Sequence, residues 1–217
     1  MPSEILPLGG KPAFYFEHSR ADVIAYLRTP LGRALDVGCG AGHVGAALKE
    51  AGATYLVGIE MDADAAARAR EIFDVVYEGD AERMLEGLPD AEQFDLICCY
   101  DVLEHLYDPE SVIRRLHSVA APGAVLHISI PNARHLSLVR DLVFRGTFGY
   151  EVVGHRDATH LRWFTKSDIV KLVEDCGWKV TGIETHAFRP WRALVSRMSL
   201  GYASEFFAVQ WYVECRA

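Results

Sequence analysis

Between Arg33 and Gly42 a short apolar run, Arg33-Ala-Leu-Asp-Val37, meets glycines at 38, 40 and 42 and then a helix-like stretch reaching about Ala51. That run–turn–helix unit recurs down the chain. Tyr55-Leu-Val-Gly-Ile59 precedes an alanine-rich stretch from Ala63 to about Ile72, and Val75-Val-Tyr77 is a third, shorter run. Phe94-Asp-Leu-Ile-Cys-Cys-Tyr100 is almost continuously apolar, as a strand covered on both faces must be. Asp108-Pro109 places an N-cap before an N1 proline and opens a helix to about Ala120. Ala124 to Ile130 is the fifth run, closed by Pro131. Strands alternating with helices cannot close as tight hairpins, so the pattern predicts a doubly wound, mostly parallel α/β sheet with right-handed crossovers and helices on both faces.

The C-terminal part departs from this rhythm. Thr165-Lys-Ser-Asp168 has the capping-box spacing, with Asp at its end, and opens a helix that Gly177 stops. Trp178–Thr185 and Phe206–Cys215 are two further strands, seven in all, and the missing full crossover between them predicts an antiparallel last strand. Residues 132–165 fit neither period and read as an insertion. The expected organisation is one domain over 1–217: a helical cap in 1–30, a ligand-binding half in 31–131, a substrate-side insertion in 132–165, and the last helix and strands in 166–217.

Composition narrows the setting. Half of the 217 residues are hydrophobic, enough for a core, yet no apolar stretch approaches the ~20 residues of a membrane span. Met1 to Pro7 has neither a basic nor a long apolar segment, so no signal peptide is expected and the location is expected to be cytoplasmic. Five cysteines without metal-type spacing suit a reducing compartment, and Cys98-Cys99 read as small buried hydrophobes. The net charge of −8 argues against nucleic-acid partners, and no membrane partner is expected. That charge is unevenly spread: residues 33–111 carry 18 acids and 5 bases, whereas 131–171 carry 7 bases and 4 acids. The second segment points to an anionic small-molecule acceptor.

The glycines at 38, 40 and 42 let a ligand approach the backbone where a strand turns into a helix. Gly40-Ala-Gly-His-Val-Gly45 also matches the dinucleotide fingerprint, so an NAD-dependent oxidoreductase stays open. Asp36, inside the strand just before the glycines, opposes a pyrophosphate and suits a cationic ligand. Glu60, ending the second strand, can accept both hydroxyls of a ribose and fits either ligand.

With these residues the chain resembles the class I S-adenosylmethionine-dependent methyltransferases, closely over residues 33–130 and more loosely beyond. The resemblance implies a Rossmann-like fold, S-adenosyl-L-methionine as cofactor and S-adenosyl-L-homocysteine as product. It maps the methionine cradle onto Asp36, Gly38, Cys39 and Gly40, and the ribose acid onto Glu60. The apolar residue on the adenine face becomes Met61, and the contact to the adenine amine falls on Asp80 with Ala81 beside it. Asp80 also reads as the N-cap of the following short helix.

Tyr100-Asp-Val-Leu-Glu-His-Leu-Tyr-Asp-Pro109 is similar to the N/D-x-L-E-H-x-x-D-P stretch of small-molecule methyltransferases that include the quinone-biosynthesis O-methyltransferases. By that likeness backbone and side chains near Asp101 and Leu103 line the cofactor's methionine end; His105 is placed either to take the acceptor's proton or to hydrogen-bond structurally. Glu104-His105 would be half of a divalent-metal site, but no partner ligands stand out, so no metal is expected. Gly154-His-Arg-Asp-Ala-Thr-His-Leu-Arg-Trp-Phe-Thr165 resembles the D-x-T-H-x-R-x-F-T segment of methyltransferases encoded with polysaccharide and methionine-biosynthesis genes. Its His155 and His160 are further candidate bases, while Asp157, Thr159 and His160 could equally hold the loop together by hydrogen bonds. At the N-terminus, Phe14 to Arg20 is an aromatic-basic helix; in relatives such a segment closes over the cofactor, where Arg20 could pair with its carboxylate, while packing of a terminal helix onto the sheet explains the aromatics equally well. The aromatics of Phe188–Trp191 and Tyr202–Phe207 suit an acceptor lid or a dimer contact, so the chain is expected as a monomer or a homodimer.

The expectation is therefore methyl transfer to a small or sugar-like acceptor, most simply to oxygen by in-line attack, with alignment supplying most of the rate. A nicotinamide oxidoreductase and a non-catalytic cofactor-binding regulator are the alternatives. No Tyr-x-x-x-Lys pair supports the former.

Overall fold

A computed structural model describes residues 31–89, 91–152, 154–185 and 204–217. The expected cap over 1–30 with Arg20, and the aromatics Phe188–Trp191 and Tyr202, lie outside the described residues.

Seven strands form one sheet: β1 (Arg33–Val37), β2 (Tyr55–Glu60), β3 (Val75–Glu78), β4 (Phe94–Tyr100), β5 (Ala120–Pro131), β6 (Lys179–Glu184) and β7 (Gln210–Arg216). Their order is β3-β2-β1-β4-β5-β7-β6. The first five are parallel, whereas β7 slots antiparallel between β5 and β6, giving the predicted antiparallel last strand. The helices are α1 (His43–Glu50), α2 (Ala63–Ala69), α3 (Ala81–Glu86), α4 (Pro109–Ser118), α5 (Leu136–Arg140), α6 (Lys166–Asp175) and α7 (Ser204–Phe207).

Alternation along the strands divides the core in two. Leu35, Val37, Ile97, Cys99, Leu126 and Ile128 point to one face and pack with Leu85 of α3, Leu116 of α4 and Val173 of α6. Ala34, Leu56, Leu96 and Cys98 point to the other, against Leu48 of α1, Ala69 of α2 and the nearby Phe73. Burying both faces is what a parallel sheet requires, and it explains why β4 reads as an unbroken apolar run. The caps form as the sequence indicates. Asp108 accepts from Ser111 N at 3.1 Å ahead of Pro109, and Thr165 and Asp168 complete a reciprocal capping box.

Several boundaries differ from the sequence expectation; β5, for one, begins at Ala120 rather than Ala124. Helix α2 stops at Ala69 rather than Ile72, because residues 70–73 turn inward on Ala69 O to bury Phe73. The last strand starts at Gln210 rather than Phe206. Phe206 and Phe207 belong to α7, whose end is clamped by Asn132: its Nδ2 donates to Glu205 O at 2.5 Å and to Ala208 O at 2.8 Å. Trp178 precedes β6 instead of joining it, since its Nε1 donates to Ile113 O at 3.1 Å in the core. Within 132–165 the chain forms only α5, a π-helical turn over Asp141–Arg145 and loops, held by Asp141, on which Arg140, Arg145 and Arg156 converge.

Candidate active site

The strand order reverses between β1 and β4, which places a crevice at the carboxyl edge of the sheet, where ligands of such folds bind. A cavity of about 550 Å³ opens there. Because the lining residues sit on successive strand ends, the sheet order sorts them. Asp80 follows β3, Glu60 ends β2 and Asp36 lies in β1; Asp101, Glu104 and His105 follow β4, Pro131 ends β5 and Gln210 opens β7.

On the β1–β3 side the glycine turn carries Gly38, Gly40 and Gly42 at positive φ. A Cβ on Gly38 would stand 2.5 Å from Val102 Cγ2, so the turn closes only without a side chain. Glu60 is buried, and each of its oxygens takes one backbone donor: Gly40 N at 2.8 Å and Asp62 N at 2.8 Å. Burial raises the Glu60 carboxyl above the ordinary carboxylate range, opposed by those backbone donors. Asp36 is 2% exposed, and its Oδ2 has no hydrogen-bond partner. Burial, with the nearby Glu60 charge, pushes its carboxyl well up. Cys39, Met61 and Ala81 line the same side, with Met61 exposed and available for stacking. Asp80 lines the cavity too, and it forms the expected cap of α3 by accepting from Arg83 N at 3.2 Å.

The β4–β7 side is built from contacts far apart in sequence. Asp101 is the one described non-glycine residue at positive φ (56°), a conformation costing ~1–3 kcal/mol that its surroundings must hold. Its N donates to Ser129 O at 3.0 Å, Ser129 Oγ donates to its Oδ1 at 3.0 Å, and Gln210 Nε2 donates to the same oxygen. His105, in a 3₁₀ turn over Leu103–His105, faces Thr159: its Nδ1 is 3.1 Å from Thr159 O and 3.2 Å from Thr159 Oγ1. The Thr159 hydroxyl donates at 2.7 Å to Asp157 Oδ1, so both oxygens facing Nδ1 act as acceptors. A neutral ring that satisfies both of them carries its hydrogen on Nδ1, the tautomer in which Nε2 is unprotonated. Leu161 N and Arg162 N both donate to Glu104 O, at 2.8 and 3.0 Å, fastening this loop to the turn.

His160 packs edge-on against His105 at 4.8 Å between ring centroids, with its Nε2 4.0 Å from Glu104 Oε1. Glu104, His105 and His160 bring one donor atom each within 4.8 Å of one another, so the loop supplies the third group that the sequence did not reveal. Such a cluster can pass a proton or share a small cation. His155 also lines the cavity, but its Nε2 donates to Val209 O at 2.6 Å, its ring stacks on His135, and burial lowers its pKa.

Leu103 is a correction. Expected at the cofactor, it is fully buried in the core and absent from the cavity wall, because the 3₁₀ turn points it under β4; Val102 takes its place. Gln210, Val209 and Tyr100 line the cavity without having been singled out. Gln210 left one trace in the sequence, the single polar residue in the run Phe206–Val213, but nothing local tied it to Asp101.

The cavity meets the demands of the cofactor implied by the glycine motif. Asp36 offers a buried acceptor awaiting a cationic group. Each Glu60 oxygen keeps a lone pair for a ribose hydroxyl after its backbone bond. The glycine turn leaves backbone exposed for close approach. A pyrophosphate, by contrast, would stand against Asp36.

A family profile described as "Methyltransferase domain" matches residues 15–182. Among curated proteins, the chain is 39% identical over 106 residues to the ubiquinone biosynthesis O-methyltransferase of Pseudomonas entomophila (strain L48), covering 46% of this chain and 44% of that protein. The protein of the same name from Pseudomonas aeruginosa (strain LESB58) is 37% identical over 106 residues, with the same coverage. The match thus spans less than half the length of these relatives. Among solved structures, an S-adenosylmethionine-dependent methyltransferase from Mesorhizobium loti superposes with a TM-score of 0.66 at 18% identity, covering 92% of this chain and 98% of that one. One from Archaeoglobus fulgidus gives 0.67 at 18% identity, covering 95% of each. At such identities these structures establish the fold.

Proposed function

Because the chain belongs to the methyltransferase domain family, with S-adenosylmethionine as its cofactor, we propose that it methylates a hydroxyl of a small-molecule acceptor, with His105 as the base. One observation carries the assignment of the base. Thr159 turns two acceptor oxygens towards His105 Nδ1, which favours the tautomer with an unprotonated Nε2, within the same cavity as Asp36 and Glu60. A hydroxyl is a weak nucleophile until its proton is removed, so a proton acceptor on the β4 side gives oxygen transfer what it needs. The relatives named ubiquinone biosynthesis O-methyltransferases support oxygen as the methylated atom.

The cofactor supplies an activated methyl group; the chain's residues do the rest. Asp36, Gly38, Gly40 and Glu60 hold the cofactor, and Met61, Asp80 and Ala81 flank its base. Asp101, locked by Ser129 and Gln210, fixes the wall between cofactor and acceptor. His105 Nε2 takes the hydroxyl proton as the oxygen attacks, and buried Glu104 and His160 lie beside the imidazolium that results. Alignment of the two reactants supplies most of the rate.

Nitrogen-15 spectra of the histidine rings in the S-adenosylhomocysteine complex test the base. Expected is a bare, pyridine-type Nε2 on His105 with its proton on Nδ1. A proton found on Nε2 at neutral pH removes His105 from this role.

A further inference from the structure

We propose that the methyl acceptor of this cavity carries no negative charge: the reacting hydroxyl belongs to an uncharged or cationic molecule, with no carboxylate or phosphate near it. The inference deepens the methyltransferase reading and depends on it. The excess of base in residues 131–171 pointed to an anionic acceptor, and the tertiary structure shows where those cations go. Arg134 pairs with Glu205. Arg140, Arg145 and Arg156 converge on Asp141, and Arg156 also reaches Glu151. Arg162 donates to the carbonyls of Tyr107 and Leu161, Lys171 pairs with Asp175, and Lys166 lies 5.7 Å over the Trp211 ring.

None of the seven lines the cavity, and among the described residues no lysine or arginine does. Six acids do: Asp36, Glu60 and Asp80 on the β1–β3 side, Asp101, Glu104 and Asp157 on the other. The cofactor, with two cationic centres and one carboxylate, is matched to the first three. The second three remain for the acceptor, and Glu104 and Asp157 are 2% and 1% exposed, where water screens little. An anion entering there would lose its hydration and gain repulsion instead of a partner.

Three probes of one shape separate the possibilities: phenol, 4-hydroxybenzylamine and 4-hydroxybenzoate, titrated into the full chain loaded with S-adenosylhomocysteine and followed by ligand-observed NMR. Phenol or the amine should bind at least about tenfold more tightly than the benzoate, ~1.4 kcal/mol. Val209→Lys, which adds a cation to a half-exposed position on the cavity wall, should narrow that gap or reverse it. Wild-type protein that binds the benzoate as well as the other two or better, or that fails to distinguish the three, overturns the proposal. Calorimetry of S-adenosylhomocysteine on the same sample keeps the readings apart. Loss of that binding breaks the cofactor assignment, whereas intact binding with a preference for the benzoate breaks only the charge assignment.

Discussion

The two sides of the cavity are made by different means. On the β1–β3 side each functional carboxyl is placed by the strand that carries it and by backbone donors of the adjoining turns, Gly40 and Asp62 for Glu60, Arg83 for Asp80. On the β4–β7 side the fastening pairs are remote: His105 and Thr159 are 54 residues apart, and Asp101 and Gln210 are 109 apart. The first arrangement depends on local backbone geometry and the second on the register of a sheet and the seating of a loop. The first should therefore tolerate changes in the second, and the reverse should hold as well.

The largest effect is expected at the base. His105→Ala should lower kcat by ~10²–10⁴-fold while affinity for S-adenosylhomocysteine changes less than about twofold. Equal losses of both would mean that the two sides are not separable. Next, Asp36→Ala and Glu60→Ala should each weaken cofactor binding by roughly 100-fold in calorimetry with an unchanged circular dichroism spectrum, since each removes charge-assisted hydrogen bonds. Unchanged affinity in either variant would sink the cofactor site.

The two sides should also answer pH with opposite signs. His127 of β5, buried with Nδ1 at 3.0 Å from Tyr100 OH, has its pKa pushed down to about 4 by burial. Its neutral form is favoured in the fold, so its contribution is present above the unfolded value of ~6.5 and lost as pH falls towards 4, roughly 2–3 kcal/mol. Asp36 and Glu60 are raised, so the cofactor-free fold is favoured below their unfolded values of ~4 and loses that contribution as pH rises through the raised ones. Urea midpoints of the cofactor-free protein should show His127→Gln losing less stability than wild type between pH 6.5 and 4. Identical losses would remove His127 as the source. By the same linkage, cofactor binding should release protons, detectable by calorimetry in buffers of different ionisation enthalpy.

The smallest effect belongs to Thr159. Thr159→Val should lower kcat by about tenfold or less and leave KM nearly unchanged, with Thr159→Ser restoring the rate, because the hydroxyl that faces Nδ1 and donates to Asp157 is lost. A fall in KM and kcat that serine does not rescue would mark a loop-packing role instead.

The same division governed what could be read from the chain. The five parallel strands, the glycine turn, the caps at Asp108 and Thr165 and the strand-end acids are local in sequence, and each has a spacing that dictates one geometry. The misread details depend on distant partners. Helix α2 ends early because Phe73 is pulled into the second core cluster, and α7 stands where a strand was expected because Asn132 clamps it. Leu103 was assigned to the cavity by likeness of its motif, yet a 3₁₀ turn rotates it into the core. A count of bases in residues 131–171 likewise cannot show that three arginines share Asp141.

The sequence by itself determined a doubly wound sheet with an antiparallel last strand, a glycine turn and the acids at the strand ends that line the cavity. Strand periodicity, turn chemistry and caps act within a few residues, so they survive without coordinates. Only the tertiary structure decided that Thr159 faces His105 Nδ1, that Gln210 stands behind Asp101, and that the described cations of the insertion turn away from the cavity. Those outcomes depend on hydrogen-bond directions and ion pairs between segments that the chain order leaves far apart.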